Sequence, residues 1–82
     1  MKYLGIDFGS KKVGFAQSDD EGRMAYPLMI SPNDATLLKD TLELIREMKF
    51  QVVVIGESVD GHGKLNPIAK EARAFGAKIE DA

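Results

Sequence analysis

Lys2–Ser18 reads KYLGIDFGSKKVGFAQS, two short apolar runs joined by a polar link. Lys2–Gly9 is apolar-rich and closed by glycine, which predicts a strand. Lys12–Ser18 alternates Val13, Phe15 and Gln17 with Gly14, Ala16 and Ser18, which predicts a second strand. Its small residues fall on one face, as in a strand that something approaches closely. The link Gly9-Ser10-Lys11 is short enough to predict a hairpin.

Asp19-Asp20-Glu21-Gly22 has the composition of a turn. Met24–Ile30, MAYPLMI, predicts a third strand. Pro27 has no N–H to donate, so this strand is expected at a sheet edge or around a bulge. Ser31-Pro32-Asn33-Asp34 supplies several candidate helix N-caps. Leu37, Leu38, Thr41, Leu44, Ile45 and Met48 then recur at helical spacing, with Asp40, Glu43, Arg46, Glu47 and Lys49 mostly opposite. Phe50–Gly56, FQVVVIG, reads as a strand buried on both faces. After a loop over Glu57–Asn66, Asn66-Pro67 signals a second helix striped by Ile68, Ala72, Phe75 and Ile79. Gly76 costs that helix about 1 kcal/mol relative to alanine.

The predicted order is β-β-β-α-β-α, an α/β chain on a mixed sheet. The helix before the fourth strand can return the chain to pair parallel with the first. With 82 residues there is room for one domain, spanning 1–82. The absence of cysteine excludes disulfides and thiolate metal sites and fits a reducing cytoplasm. The longest apolar run falls far short of the roughly 20 residues a membrane span needs, so no membrane role is expected. Eleven basic residues against thirteen acidic ones give a net charge of −2, so any contact with nucleic acid must be local.

Asp7 lies between Ile6 and Phe8 inside an apolar strand. A carboxylate there is expensive unless it is paired, hydrogen-bonded or bound to a cation. Glu57 follows VVVIG, at the C-terminal tip of the fourth strand, the end that ligand sites favour in sheets with parallel strands. If the first and fourth strands are neighbours, about 4.8 Å apart, Asp7 and Glu57 are expected to converge and share one Mg²⁺ or Mn²⁺. The plain alternatives are a strand-end acid capped by backbone amides and a loop acid in water. Lys11 and Lys12 could meet phosphates or simply be solvated. His62, flanked by glycines, is either an exposed bystander or an aid to proton transfer.

The stretch GIDFGSKKVGFAQSDDEGRMAYPLMI resembles the opening of the YqgF/RuvX family, Holliday junction resolvase-like proteins also assigned as pre-16S rRNA nucleases. That family opens with G-x-D-x-G-[ST]-K, then I/V-G-x-A-x-S-D, then A-x-P-L. Gly5, Asp7, Gly9, Ser10, Lys11, Gly14, Ala16, Ser18, Asp19, Gly22, Ala25, Pro27 and Leu28 match in order. Val53–Gly56 and Asp60-Gly61 resemble a later family segment.

The resemblance implies a ribonuclease H-like fold and a metal-dependent endonuclease acting on structured nucleic acid, RNA or branched DNA. The usual assignment is processing of the 5′ end of pre-16S rRNA. Asp7 becomes the first catalytic, metal-binding carboxylate, and Ser10, Lys11 and Lys12 the nucleic-acid-binding turn. Glu57-Ser58 stands where the family usually has Leu-Pro. By analogy with related resolvases, Glu57 becomes a second catalytic and metal-binding acid. The family's fifth strand, with E-R-x-[ST]-[ST], and its last helix, with an aspartate, come after the point matched by Ala82. The domain is therefore expected to be incomplete, truncated before the fifth strand. Asp60 could add a loop ligand, whereas Glu80 and Asp81 suit a solvated helix end. Weak metal binding and weak or absent cleavage are expected of this chain alone.

A second reading is a catalytically inactive, self-associating interaction module, a homo-oligomer formed through an exposed fourth-strand edge. A third notes that D-x-G-[ST]-K also resembles the phosphate hairpin of actin-like and sugar-kinase ATPases, which need two such domains. The length of this chain disfavours it.

Overall fold

Alternation in the first strand sorts the whole molecule. The computed structural model describes residues 1–19, 21, 23–57 and 68–82, without the side chains of residues 57, 68 and 69. β1 (Tyr3–Phe8) buries Leu4, Ile6 and Phe8 and turns Tyr3 and Asp7 outward. β2 (Lys12–Ser18) buries Val13 and Phe15 on the same side. The two pair antiparallel, with Phe8 opposite Val13 and Asp7 opposite Gly14. β3 (Ala25–Pro32), α1 (Leu37–Met48), β4 (Val52–Glu57) and α2 (Ile68–Asp81) complete the order expected from the sequence.

The four strands form one mixed sheet in the order β3-β2-β1-β4, with β4 parallel to β1. β3 meets both expectations set by Pro27: it is an edge strand, and its register with β2 shifts beside that residue. Phe15 pairs with Met29 and Ala16 with Pro27, leaving Leu28 bulged. Ser31 and Pro32 continue β3 instead of capping α1. The residue at the N-cap is Thr36, with no side-chain cap bond. Asp34 instead accepts bonds from the Thr36 N–H and hydroxyl at 3.0 and 2.8 Å. Asn66-Pro67 lies outside the described residues.

Both helices pack on one face of the sheet. Leu37 and Phe50 with Ala72 and Phe75 close over Leu4, Ile6, Phe8, Val13 and Phe15. Phe75 meets Phe8 with ring centroids 5.1 Å apart. Gly76 lets α2 lie close to β4, since a Cβ there would come within 3.1 Å of Ile55 Cδ1. Its cost in helix propensity thus goes with a close helix–strand approach. At the other end of the sheet Lys2 ties α1 down. Its Nζ donates to Met48 O at 3.0 Å, where a cation also suits the helix dipole, and lies 5.1 Å above the Phe50 ring.

The opposite face carries no packed helix among the described residues. β4 is consequently not buried on both sides, and Val54 is 55% exposed. An unbroken apolar run cannot reveal which of its faces is covered, so the sequence overstated the burial of this strand. Among the described residues, no helix is long and apolar enough to cross a membrane.

Candidate functional site

Asp7 is on the open face because its strand neighbours Ile6 and Phe8 are committed to the core. Its cross-strand partners are Gly14 on β2 and Gly56 on β4. The carboxylate therefore stands on a stretch of sheet whose adjacent positions have no side chains. A Cβ added at Gly14 would lie 3.8 Å from Asp7 Cβ, in ordinary contact, so the glycines here leave room without relieving a clash. Gly5 and Ala16 extend this floor, and Ile30 and Val54 also line the broad groove of about 720 Å³ above it. Among the described residues lining it, Asp7 is the one that carries a charge.

The hairpin that follows Asp7 is built tightly. The Gly9 N–H donates to Lys12 O at 3.1 Å. A Cβ at Gly9 would come 2.6 Å from that same oxygen, so the turn demands glycine. Asn33 supports it from the end of β3: its N–H donates to Lys11 O at 2.9 Å and its Nδ2 to Gly9 O at 2.8 Å. Ser10, Lys11 and Lys12 are exposed around this turn.

The structure brings the strands of Asp7 and Glu57 side by side, as expected, but one residue out of step. Asp7 is in register with Gly56, and Glu57 with Phe8. The Glu57 side chain, like Asp60 and His62, lies outside the described residues. Glu80 and Asp81 are exposed at the end of α2, as the sequence suggested.

A hard divalent ion held by one or two carboxylates keeps most of its waters. One exposed carboxylate on a glycine floor suits such an ion, because the bare sheet leaves volume for those waters. Among the described residues no group of three or more His, Cys, Asp or Glu converges. Among the described residues, the donor set fits a sparsely ligated, largely hydrated ion.

The family described as "RuvX: Holliday junction resolvase" matches residues 1–82. This chain belongs to the RuvX family. Curated relatives carry the name "Putative pre-16S rRNA nuclease". The one from Oleidesulfovibrio alaskensis is 34% identical over 96% of this chain and 56% of its own length. The one from Maridesulfovibrio salexigens is 35% identical over 98% and 61%. That from Ruminiclostridium cellulolyticum is 33% identical over 99% and 59%. This RuvX chain thus spans little more than half the length of these relatives. A solved structure of the Aquifex aeolicus PPX-GPPA enzyme shares 17% identity and a TM-score of 0.41 over 98% of this chain and 32% of that one, too slight a likeness to carry an argument.

The sequence placed Asp7 on the first strand and the hairpin after it, as observed, but not the residues that make room and hold shape. Gly14 was legible in principle, since counting outward from the turn pairs Phe8 with Val13 and Asp7 with Gly14. Gly56 required the parallel register, and Asn33 required the path of β3 past Lys12.

Proposed function

We propose that this chain carries the first metal-binding carboxylate of a ribonuclease H-like nuclease that cleaves structured RNA, with the 5′ end of pre-16S rRNA as its substrate. The single observation behind this is Asp7, an exposed carboxylate with a glycine opposite it on each neighbouring strand, near the end of a strand whose alternate residues Leu4, Ile6 and Phe8 build the core. A carboxylate kept for stability gains nothing from bare neighbours, whereas one that meets an ion and a phosphodiester needs the space. The name that the relatives carry, pre-16S rRNA nuclease, supports the substrate class.

Bound Mg²⁺ or Mn²⁺ supplies Lewis acidity toward a phosphoryl oxygen and lowers the pKa of a coordinated water. Asp7 holds the ion, and Glu57 is the second proposed ligand. Successive strand residues alternate faces, and Glu57 is one step out of register with Asp7. Joint binding therefore asks the chain to leave the regular pleat at Glu57. Ser10, Lys11 and Lys12 receive the phosphates beside the site, which positions the strand without specifying its sequence.

The test uses an end-labelled RNA stem-loop with a single-stranded overhang and the purified chain. The proposal expects Mg²⁺- or Mn²⁺-dependent cleavage, weak in this chain, that disappears in Asp7→Asn. Cleavage that persists unchanged in the variant overturns it.

A second reading rests on a different observation. β4 is at the sheet edge, and the apolar Val54 and Ile30 are exposed on the open face, Ile30 by 72%. Edge strands of this kind invite pairing with another chain. Sedimentation velocity then shows oligomers that Val54→Lys reduces. A monomer at all concentrations removes this reading.

A further inference from the structure

Asn33 directly follows Pro32, the last residue of β3, which is paired with Lys12. Its backbone N–H reaches Lys11 O at 2.9 Å and its side-chain amide reaches Gly9 O at 2.8 Å. One residue thus holds the carbonyls on both sides of Ser10. The turn is also closed internally, from the Gly9 N–H to Lys12 O at 3.1 Å. Asn33 is not spent on the following helix, whose N-cap position is Thr36 and whose first turn is served by Asp34. The bonds therefore fix a turn whose side chains Ser10, Lys11 and Lys12 all remain exposed. Rigidity at an exposed basic turn favours binding, because a backbone already held loses less freedom when its side chains meet a ligand.

We infer that Asn33 is a positioning residue: it clamps the Gly9–Lys12 hairpin in the shape that presents Lys11 and Lys12 to nucleic-acid phosphate. This rests on the nuclease reading above. It goes further by assigning a role to a residue outside the family motif that acts through the turn and not on the substrate. Asn33→Ala keeps the backbone bond to Lys11 O and deletes the one to Gly9 O.

The experiment is a double-mutant cycle on the full chain. Binding to a fluorescein-labelled RNA stem-loop is followed by anisotropy across a salt series, with urea unfolding of each variant alongside. Asn33→Ala is expected to weaken binding about fivefold, the loss of one hydrogen bond. It should also reduce the slope of log affinity against log salt by about one unit, as when one phosphate contact is lost. Lys11→Met is expected to weaken binding similarly. Adding Asn33→Ala to a variant that carries both Lys11→Met and Lys12→Met should weaken binding no further, because the clamp acts through those two lysines. Asn33→Ser, which retains a short donor, serves as a second folded variant if Asn33→Ala unfolds. Additive losses, or binding by folded Asn33 variants equal to that of the unsubstituted chain, overturn the inference and leave the nuclease reading standing. Failure of the unsubstituted chain to bind the RNA overturns both, so the two failures are distinguishable.

Discussion

The two faces of the sheet are made from the same strands, yet they differ in almost every physical respect. On the covered face, Leu4, Ile6 and Phe8 are no more than 4% exposed and lock against two helices. On the open face, interleaved with them, lie Tyr3, Gly5 and Asp7, with glycines beside the carboxylate on both neighbouring strands. β1 thus belongs to the core and the candidate site at once, divided by the two-residue period of a strand. Stability is concentrated on one side, which leaves the other free to carry an exposed charge and empty volume.

The contrast can be attacked from the covered side first. Phe8→Ala removes a ring packed against Phe75 and leaves a cavity beneath both helices. A loss of about 3–5 kcal/mol is expected, enough to unfold much of a small domain. Urea denaturation checks it, and a loss below about 1 kcal/mol, well short of the usual range for such truncations, would mean the covered face is not the seat of stability. A smaller effect of opposite sign is expected at Thr41, which is 1% exposed and whose hydroxyl has no hydrogen-bond partner among the described residues. Thr41→Val should raise stability by about 1 kcal/mol by removing that unsatisfied group, read as a higher urea midpoint at unchanged slope. The smallest change in stability is expected at Asp7. Asp7→Asn should stay within about 0.5 kcal/mol of the parent, as open-face substitutions do. A large destabilisation would recast Asp7 as a structural acid and blur the division between the faces.

Much of this division was legible in the sequence. Alternation marked both strands of the hairpin, helical spacing marked α1 and α2, and Pro27 announced an edge and a bulge together. Asp7 stood out because a charge in an apolar strand needs a reason. Other features were hidden for definite physical causes. Val52–Ile55 is apolar at every position, so its pattern could not show that Val54 faces outward. The N-cap was misplaced because Ser31, Asn33 and Asp34 are all good capping residues, and the chain uses them for a strand, a turn clamp and a turn. The step between Asp7 and Glu57 depends on parallel register, which no local signal encodes. The same register sets Gly56 beside Asp7, so the room on that side became visible only with the sheet assembled.

The most direct measurement is a manganese titration of the isotope-labelled chain followed by amide NMR, since Mn²⁺ broadens signals near its binding site. The account predicts that the amides of Asp7, Gly14 and Gly56 broaden first, and that Asp7→Asn abolishes this at an unchanged urea midpoint. Broadening centred elsewhere, such as the acidic end of α2 at Glu80 and Asp81, or broadening at the sheet that survives the substitution, would contradict it.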